Sequence, residues 1–192
     1  MYLNSHKAIF VHVRKTGGTS IQECFSKIQK LKIVHAFAEE LRDAEPDKFR
    51  TYFKFAFVRN PWDWLVSFYH YCLLKKYIPP WTFSQFVHAL DSGELFEYRV
   101  SCERSTCPQL RMLTIDGKIA VDFVGRFENL QKDFNHVCTV IKRPLVKLPH
   151  AQKTDHRPYQ EYYDKVTKAI VEDRYACDID TFGYCFKDTQ CE

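Results

Sequence analysis

The sequence predicts an α/β domain of three layers, with a mainly parallel central sheet flanked by helices. Three observations predict it. Apolar, aromatic or β-branched segments at Ala8–Val11, Tyr52–Val58 and Val121–Gly125 have strand character. Each is followed by a stretch with helical periodicity. Lys15, His35, Arg59 and Arg126 all fall at or just beyond the carboxyl end of an expected strand. Open α/β sheets bind their ligands at that end.

The elements follow in order. After the first strand, Ile21, Cys24, Phe25 and Ile28 recur at i, i+3, i+4 and i+7, the inner face of a helix. Lys32–His35 is a short second strand, and Ala36–Ala44 a helix with Glu39 and Glu40 on its outer side. The third strand, ending at Val58, is apolar on both faces and so is expected at the centre. Asn60 is a good N-cap and Pro61 a good first residue for a long helix to about Lys76. Thr82 caps a further helix that ends near Gly93. Residues 94–114 read as a loop with short elements. Ile115-Asp116-Gly117-Lys118 is a turn signal between hairpin arms. A fourth strand at Val121–Gly125, a helix at Asn129–Ile141, a basic loop at 150–158 and one last helix from Tyr159 to about Asp180 complete the chain.

Composition sets outer limits. The chain has 192 residues, 45% hydrophobic and 27% charged, enough for one domain, 1–192, with a real core. Repeats, low-complexity tracts and linkers are missing from the sequence. The net charge of +4 is too mild to argue for nucleic acid, but it suits an anionic ligand. There is neither a long apolar run that would span a membrane nor a signal-peptide core near the first residues. A cytoplasmic protein is the simple expectation, and a catalytic domain cut from a longer lumenal protein the alternative. The eight cysteines form no C-x-x-C pairs, so no zinc site is expected. Cys24, Cys72 and Cys138 fall on apolar helical faces and read as buried thiols; Cys102/Cys107 and Cys185/Cys191 are disulfide candidates in an oxidising compartment.

The chemistry centres on Val11-His12-Val13-Arg14-Lys15-Thr16-Gly17-Gly18-Thr19-Ser20. A strand, a tight glycine turn and a helix N-terminus make an anion cradle, because free N–H groups and the positive end of the helix dipole converge there. Lys15 adds a mobile charge, and Thr16, Thr19 and Ser20 add donors. The expected ligand is a phosphate or sulfate ester. The loop is not a Walker A motif, since Lys15 precedes both glycines instead of following the second. A second anion site is suggested by Arg59 and Ser67. Ser67 lies about 700° of helix beyond the cap Asn60, nearly two full turns, and so shares the cap's azimuth.

Lys-Thr-Gly-Gly-Thr-Ser after a first strand, followed by Phe-Val-Arg-Asn-Pro-Trp-Asp-Trp-Leu-Val-Ser after a later one, resembles the sulfotransferase family. It looks closest to the carbohydrate-type branch that uses 3′-phosphoadenosine 5′-phosphosulfate (PAPS). Val124–Leu130, Tyr162–Asp164 and Asp180–Tyr184 are similar to further family segments. The resemblance implies a P-loop-nucleotide-hydrolase-like sulfotransferase fold. It also implies that Lys15, Thr16, Gly17, Gly18, Thr19 and Ser20 hold the 5′-phosphosulfate, and that Arg59 and Ser67 hold the 3′-phosphate. In the same family the basic loop near the last helix closes over the nucleotide, which makes Lys153 a cofactor contact. Arg14, expected at the cleft mouth, is a further candidate cofactor contact. One departure is Trp64, where the family's second motif often has Arg.

Lys15 is then the expected stabiliser of the leaving oxygen, and His35 the candidate base, because an imidazole with a pKa of about 6.5 suits base work near neutrality. Glu39 and Glu40 are fallback bases. Glu39 and Arg126, with His35, are candidate acceptor contacts. The expected partner is a hydroxyl-bearing acceptor, a glycan first, with no metal and no nucleic acid. Two other readings compete: a nucleotide kinase-like phosphotransferase, and a non-catalytic module that binds phosphonucleotides or sulfated glycans.

Overall fold

The computed structural model describes residues 1–26, 35–98, 103–149 and 157–187. In chain order the elements are β1 (Tyr2–Leu3), β2 (Ala8–Val11), α1 (Gly18–Ser26), α2 (Ala38–Ala44), α3 (Pro46–Thr51), β3 (Phe53–Val58), α4 (Pro61–Leu74) and α5 (Phe83–Ser92). Then come α6 (Glu103–Thr106), α7 (Gln109–Leu113), β4 (Thr114–Ile115), β5 (Lys118–Ile119), β6 (Phe123–Arg126), α8 (Leu130–Val140), α9 (Lys165–Arg174) and α10 (Ala176–Phe182). The chain groups into two compact units, Met1–Arg59 with Gln109–Lys153, and Asn60–Pro108 with Thr154–Glu192.

The first unit carries the sheet, in the order β1-β2-β3-β6. β2, β3 and β6 run parallel, and β1 adds an antiparallel edge. The sheet is therefore mixed but mainly parallel, as expected. Side chains alternate across it. Ala8 and Phe10 of β2, with Phe55 and Phe57 of β3, face a core built by Ile21, Cys24 and Phe25 of α1 and Phe134, Val137 and Cys138 of α8. The Phe10 and Phe55 rings stack at 5.0 Å, and Phe25 meets Phe134 edge-on at 6.1 Å. Ile9, Val11, Ala56 and Val58 point the other way and are equally sealed from water. That two-sided burial is why β3 lacks polar alternation in the sequence. The short hairpin of β4 and β5 turns at Asp116 and Gly117, both with positive φ, the geometry of a two-residue hairpin loop.

The second unit is helical. Asn60 caps α4 by accepting from the Trp62 and Asp63 N–H groups at 3.1 and 3.4 Å, and Pro61 occupies the first turn. α4 is buried nearly all round. The Trp64 ring stacks on Phe68 at 5.4 Å and meets Tyr175 edge-on at 5.7 Å. This tryptophan is part of the core of its unit. Thr82 caps α5, which Gly93 ends with φ +85°.

Several sequence expectations are corrected. The single last helix is two. Asp164 accepts from the Thr167 N–H at 2.8 Å and starts α9 only there, after a short 3-10 turn at Tyr159–Tyr162; Tyr175 then separates α9 from α10. A local side-chain cap has outcompeted an otherwise continuous helical pattern. β1 was not expected as a strand. Of the expected strand at Lys32–His35, residues 32–34 lie outside the described residues, and His35 is in no strand. Cys24, Cys72 and Cys138 are buried as expected, whereas Cys102 and Cys191, and with them both candidate disulfides, lie outside the described residues. Among the described residues no helix is long and apolar enough to cross a membrane.

Candidate functional site

The site is built at the carboxyl ends of β2 and β3, within the first unit. After Val11 the chain leaves the sheet, and His12 and Val13 are still buried. Lys15 then adopts φ +60° and Gly17 φ +79°. A lysine in the left-handed region is held there at a cost of about 1 kcal/mol or more, and such residues cluster at functional loops. Thr16 is fully buried and its hydroxyl donates to the Val13 carbonyl at 2.8 Å. This side chain closes the loop on itself. What Thr16 offers an anion is its backbone.

Both glycines are dictated by crowding. A Cβ on Gly17 would lie 2.5 Å from Cδ2 of Leu130, at the head of α8. One on Gly18 would lie 1.8 Å from Nε2 of His12. The loop therefore packs backbone directly onto side chains, and the first turn of α1 begins at Gly18 with N–H groups that a helix leaves without intrahelical acceptors. Thr19 is half-buried and Ser20 buried in that turn.

The close approach at Gly18 makes a prediction. Gly18→Ala should push the His12 ring out of its slot, where it stacks on Phe10 at 5.1 Å. Overpacking of this kind costs about 1–3 kcal/mol. Thermal unfolding should show a midpoint lowered by about 3–10 °C. An unchanged midpoint would mean that the loop yields and is not held by the ring.

His12 is the hub of the loop, a role that its sequence position did not reveal. Its ring centroid lies 4.4 Å from that of His35. Its carbonyl is 3.1 Å from Nδ1 of His35. A carbonyl only accepts, so Nδ1 carries the proton, and Nε2 of the neutral His35 ring holds the lone pair. Burial, then the neighbouring His35, the terminal ammonium and Arg14 pull the pKa of His12 down to about 3. His12 is thus a neutral, structural imidazole, packed between Phe10 and His35.

Arg59 ends β3. Its guanidinium lies 4.1 Å over the Phe127 ring and donates through Nη1 to the Lys15 carbonyl at 3.2 Å. Its main chain is held by Gln109, whose amide accepts from the Arg59 N–H at 2.9 Å and donates to the Arg59 carbonyl at 2.7 Å. Neither Gln109 nor Phe127 was marked by the sequence as part of a site.

The structure thus brings Lys15, His35 and Arg59 together through the main chain of the loop. Arg126 closes β6 beside Val58 of β3, and its N–H donates to Asp133 at 2.7 Å. Arg14 is half-buried in the turn before Lys15. The two glutamates are otherwise engaged. Glu39 pairs with Arg111 at 3.1 Å, and Glu40 accepts from the Phe37 N–H at 2.8 Å at the start of α2. Ser67 is buried on α4 in the second unit. Lys153 lies outside the described residues. A basic cradle with a lone-pair nitrogen beside it can bind an anionic ester and accept a proton.

No curated protein matches the chain. The crystal structure of a sulfotransferase from Alicyclobacillus acidocaldarius is similar at 18% identity and a TM-score of 0.40, over 71% of this chain and 57% of that one. The family model described as the sulfotransferase family matches residues 1–185, nearly the whole length, and the chain belongs to that family.

Proposed function

We propose that the protein moves a sulfonate group from PAPS to a hydroxyl of a carbohydrate acceptor by in-line displacement. Membership of the family supports sulfonate transfer in general. The donor, the acceptor class and the residue roles are our inference. The observation that carries it is the placement of His35, hydrogen-bonded to the carbonyl of His12 in the same loop that presents Lys15.

The residues fit such a donor. It carries anionic groups on the 5′ and 3′ oxygens of one ribose, and the first unit offers two linked cations, with Arg59 touching the Lys15 carbonyl. The backbone of Thr16 to Ser20 would hold the 5′-phosphosulfate, with Lys15 at the bridging oxygen. Arg59 would take the 3′-phosphate; Ser67 is assigned to the same group, and Lys153 to the nucleotide, on the motif resemblance. When bound, the donor supplies an electrophilic sulfonate on a phosphate leaving group. Lys15 neutralises the electron pair left on the phosphate oxygen as the old S–O bond breaks. His35 takes the acceptor's hydroxyl proton at Nε2 as the new S–O bond forms. The His12 carbonyl holds the tautomer and supports the imidazolium that results. Arg126 and Glu39 are assigned to the acceptor side.

The test is calorimetric titration with the product 3′-phosphoadenosine 5′-phosphate (PAP), beside AMP and ATP, without metal. The bisphosphate should bind in the micromolar range and more tightly than AMP. Arg59→Ala removes a charge-assisted contact of about 1.5–3 kcal/mol, so PAP should weaken by about tenfold to a hundredfold. Equal binding of AMP and PAP by the wild type would sink the reading of Arg59 and the donor with it.

A further inference from the structure

We infer that Gln109 is the positioning residue for recognition of the 3′-phosphate, because its amide clamps the main chain of Arg59 on both sides; this rests on the reading that Arg59 takes that phosphate. Paired residues of β3 end at Val58, which faces Arg126 of β6. Arg59 is the next residue, one step past the ladder. It is buried, so its N–H and carbonyl need partners that the sheet no longer provides. Gln109 supplies both, at 2.9 and 2.7 Å, from the first turn of α7. The amide acts as one more rung of the sheet.

The orientation of that amide is not ambiguous. The Arg59 N–H can only donate and its carbonyl can only accept, so Oε1 faces the first and Nε2 the second. Gln109 is itself buried, at 2% exposure, on an element fifty residues from Arg59 in sequence (|i−j| = 50). With its backbone fixed, Arg59 reaches both the Phe127 face and the Lys15 carbonyl. Gln109 touches no part of the nucleotide in this scheme; it acts through Arg59.

A merely structural glutamine and a positioning one differ in what they do to discrimination. The measurement is the affinity of PAP and of AMP for the full chain, by calorimetry, with thermal melting alongside. Gln109→Leu removes both hydrogen bonds. PAP should weaken by about tenfold or more, and AMP, which has no 3′-phosphate, by less than about threefold. Gln109→Glu gives a reversible version. The carboxylate accepts from the Arg59 N–H but has no hydrogen for the carbonyl; the protonated acid has both. Its PAP-to-AMP preference, taken relative to wild type at the same pH, should be low near about pH 8 and recover towards about pH 5, in the range where a carboxylate beside a carbonyl oxygen gains its proton.

The outcomes separate the two claims. A wild type that fails to distinguish PAP from AMP overturns the role of Arg59. A wild type that distinguishes them, with Gln109→Leu retaining the full preference or losing affinity for both ligands equally, overturns the role of Gln109 alone. Should Gln109→Leu fail to fold, the acid recovery of Gln109→Glu decides: recovery supports the clamp, and its absence overturns it.

Discussion

Lys15→Ala should reduce sulfonate transfer by about a hundredfold to a thousandfold, the range for removing one preorganised donor from a developing oxyanion. The fold should be untouched. Lys15 sits at φ +60°, and alanine has the same Cβ, so the replacement carries the same backbone cost as the lysine. The Lys15 group that Arg59 contacts is the carbonyl, at 3.2 Å, and alanine keeps it. The side chain is half-buried, so little packing is lost. The melting midpoint should therefore move by no more than about 2 °C. Rates under saturating donor, beside PAP affinity, locate the effect: a fall in the rate constant larger than the fall in affinity places Lys15 at the leaving oxygen. Wild-type transfer by Lys15→Ala would overturn that placement. A parallel Lys15→Gly variant checks the backbone argument, since it relaxes the loop while removing the same charge.

Much of this site was legible in the sequence because its signals are local. A four-residue apolar strand, two glycines and a helical period fix the loop between β2 and α1 within one short stretch. The cap at Asn60 and the turn at Asp116-Gly117 are equally local, set by one or two residues with known preferences. What was not legible depends on contacts distant in sequence. Gln109 reaches Arg59 across fifty residues (|i−j| = 50), from a stretch whose elements are too short to show a period. The hydrogen bond from His35 to the His12 carbonyl spans twenty-three (|i−j| = 23). Thr16 is a different case. Its hydroxyl suggested a ligand donor, but a short-range bond to the Val13 carbonyl claims it, a competition that composition does not reveal. Trp64 is a mixed case: core packing is the simple expectation for it and its neighbour Phe68 is local, whereas its contact with Tyr175 comes from a distant stretch of the chain.

His35→Ala should lower the transfer rate by about a hundredfold to ten-thousandfold, the usual contribution of a positioned general base. PAP affinity should stay within about threefold, because the imidazole is assigned to the acceptor proton and not to the nucleotide. Two glutamates nearby in sequence were the alternatives, and their contacts argue against them. Glu39 is paired with Arg111 through Oε1 and Glu40 accepts from the Phe37 N–H through Oε2, so taking up a proton would weaken a contact that each carboxylate already makes. The pH dependence gives an independent check. A base works only when deprotonated, so the wild-type rate should be full at high pH and fall as the pH drops and Nε2 gains a proton. His12 adds nothing to that limb between about pH 5 and 8. Its pKa is held at about 3, mainly by burial, so it stays neutral throughout. In His35→Ala the acid limb should disappear, and added imidazole should restore part of the rate with a limb of its own. An acid limb that survives unchanged in His35→Ala would assign the base to another group, and the bond between His35 and the His12 carbonyl would then be structural.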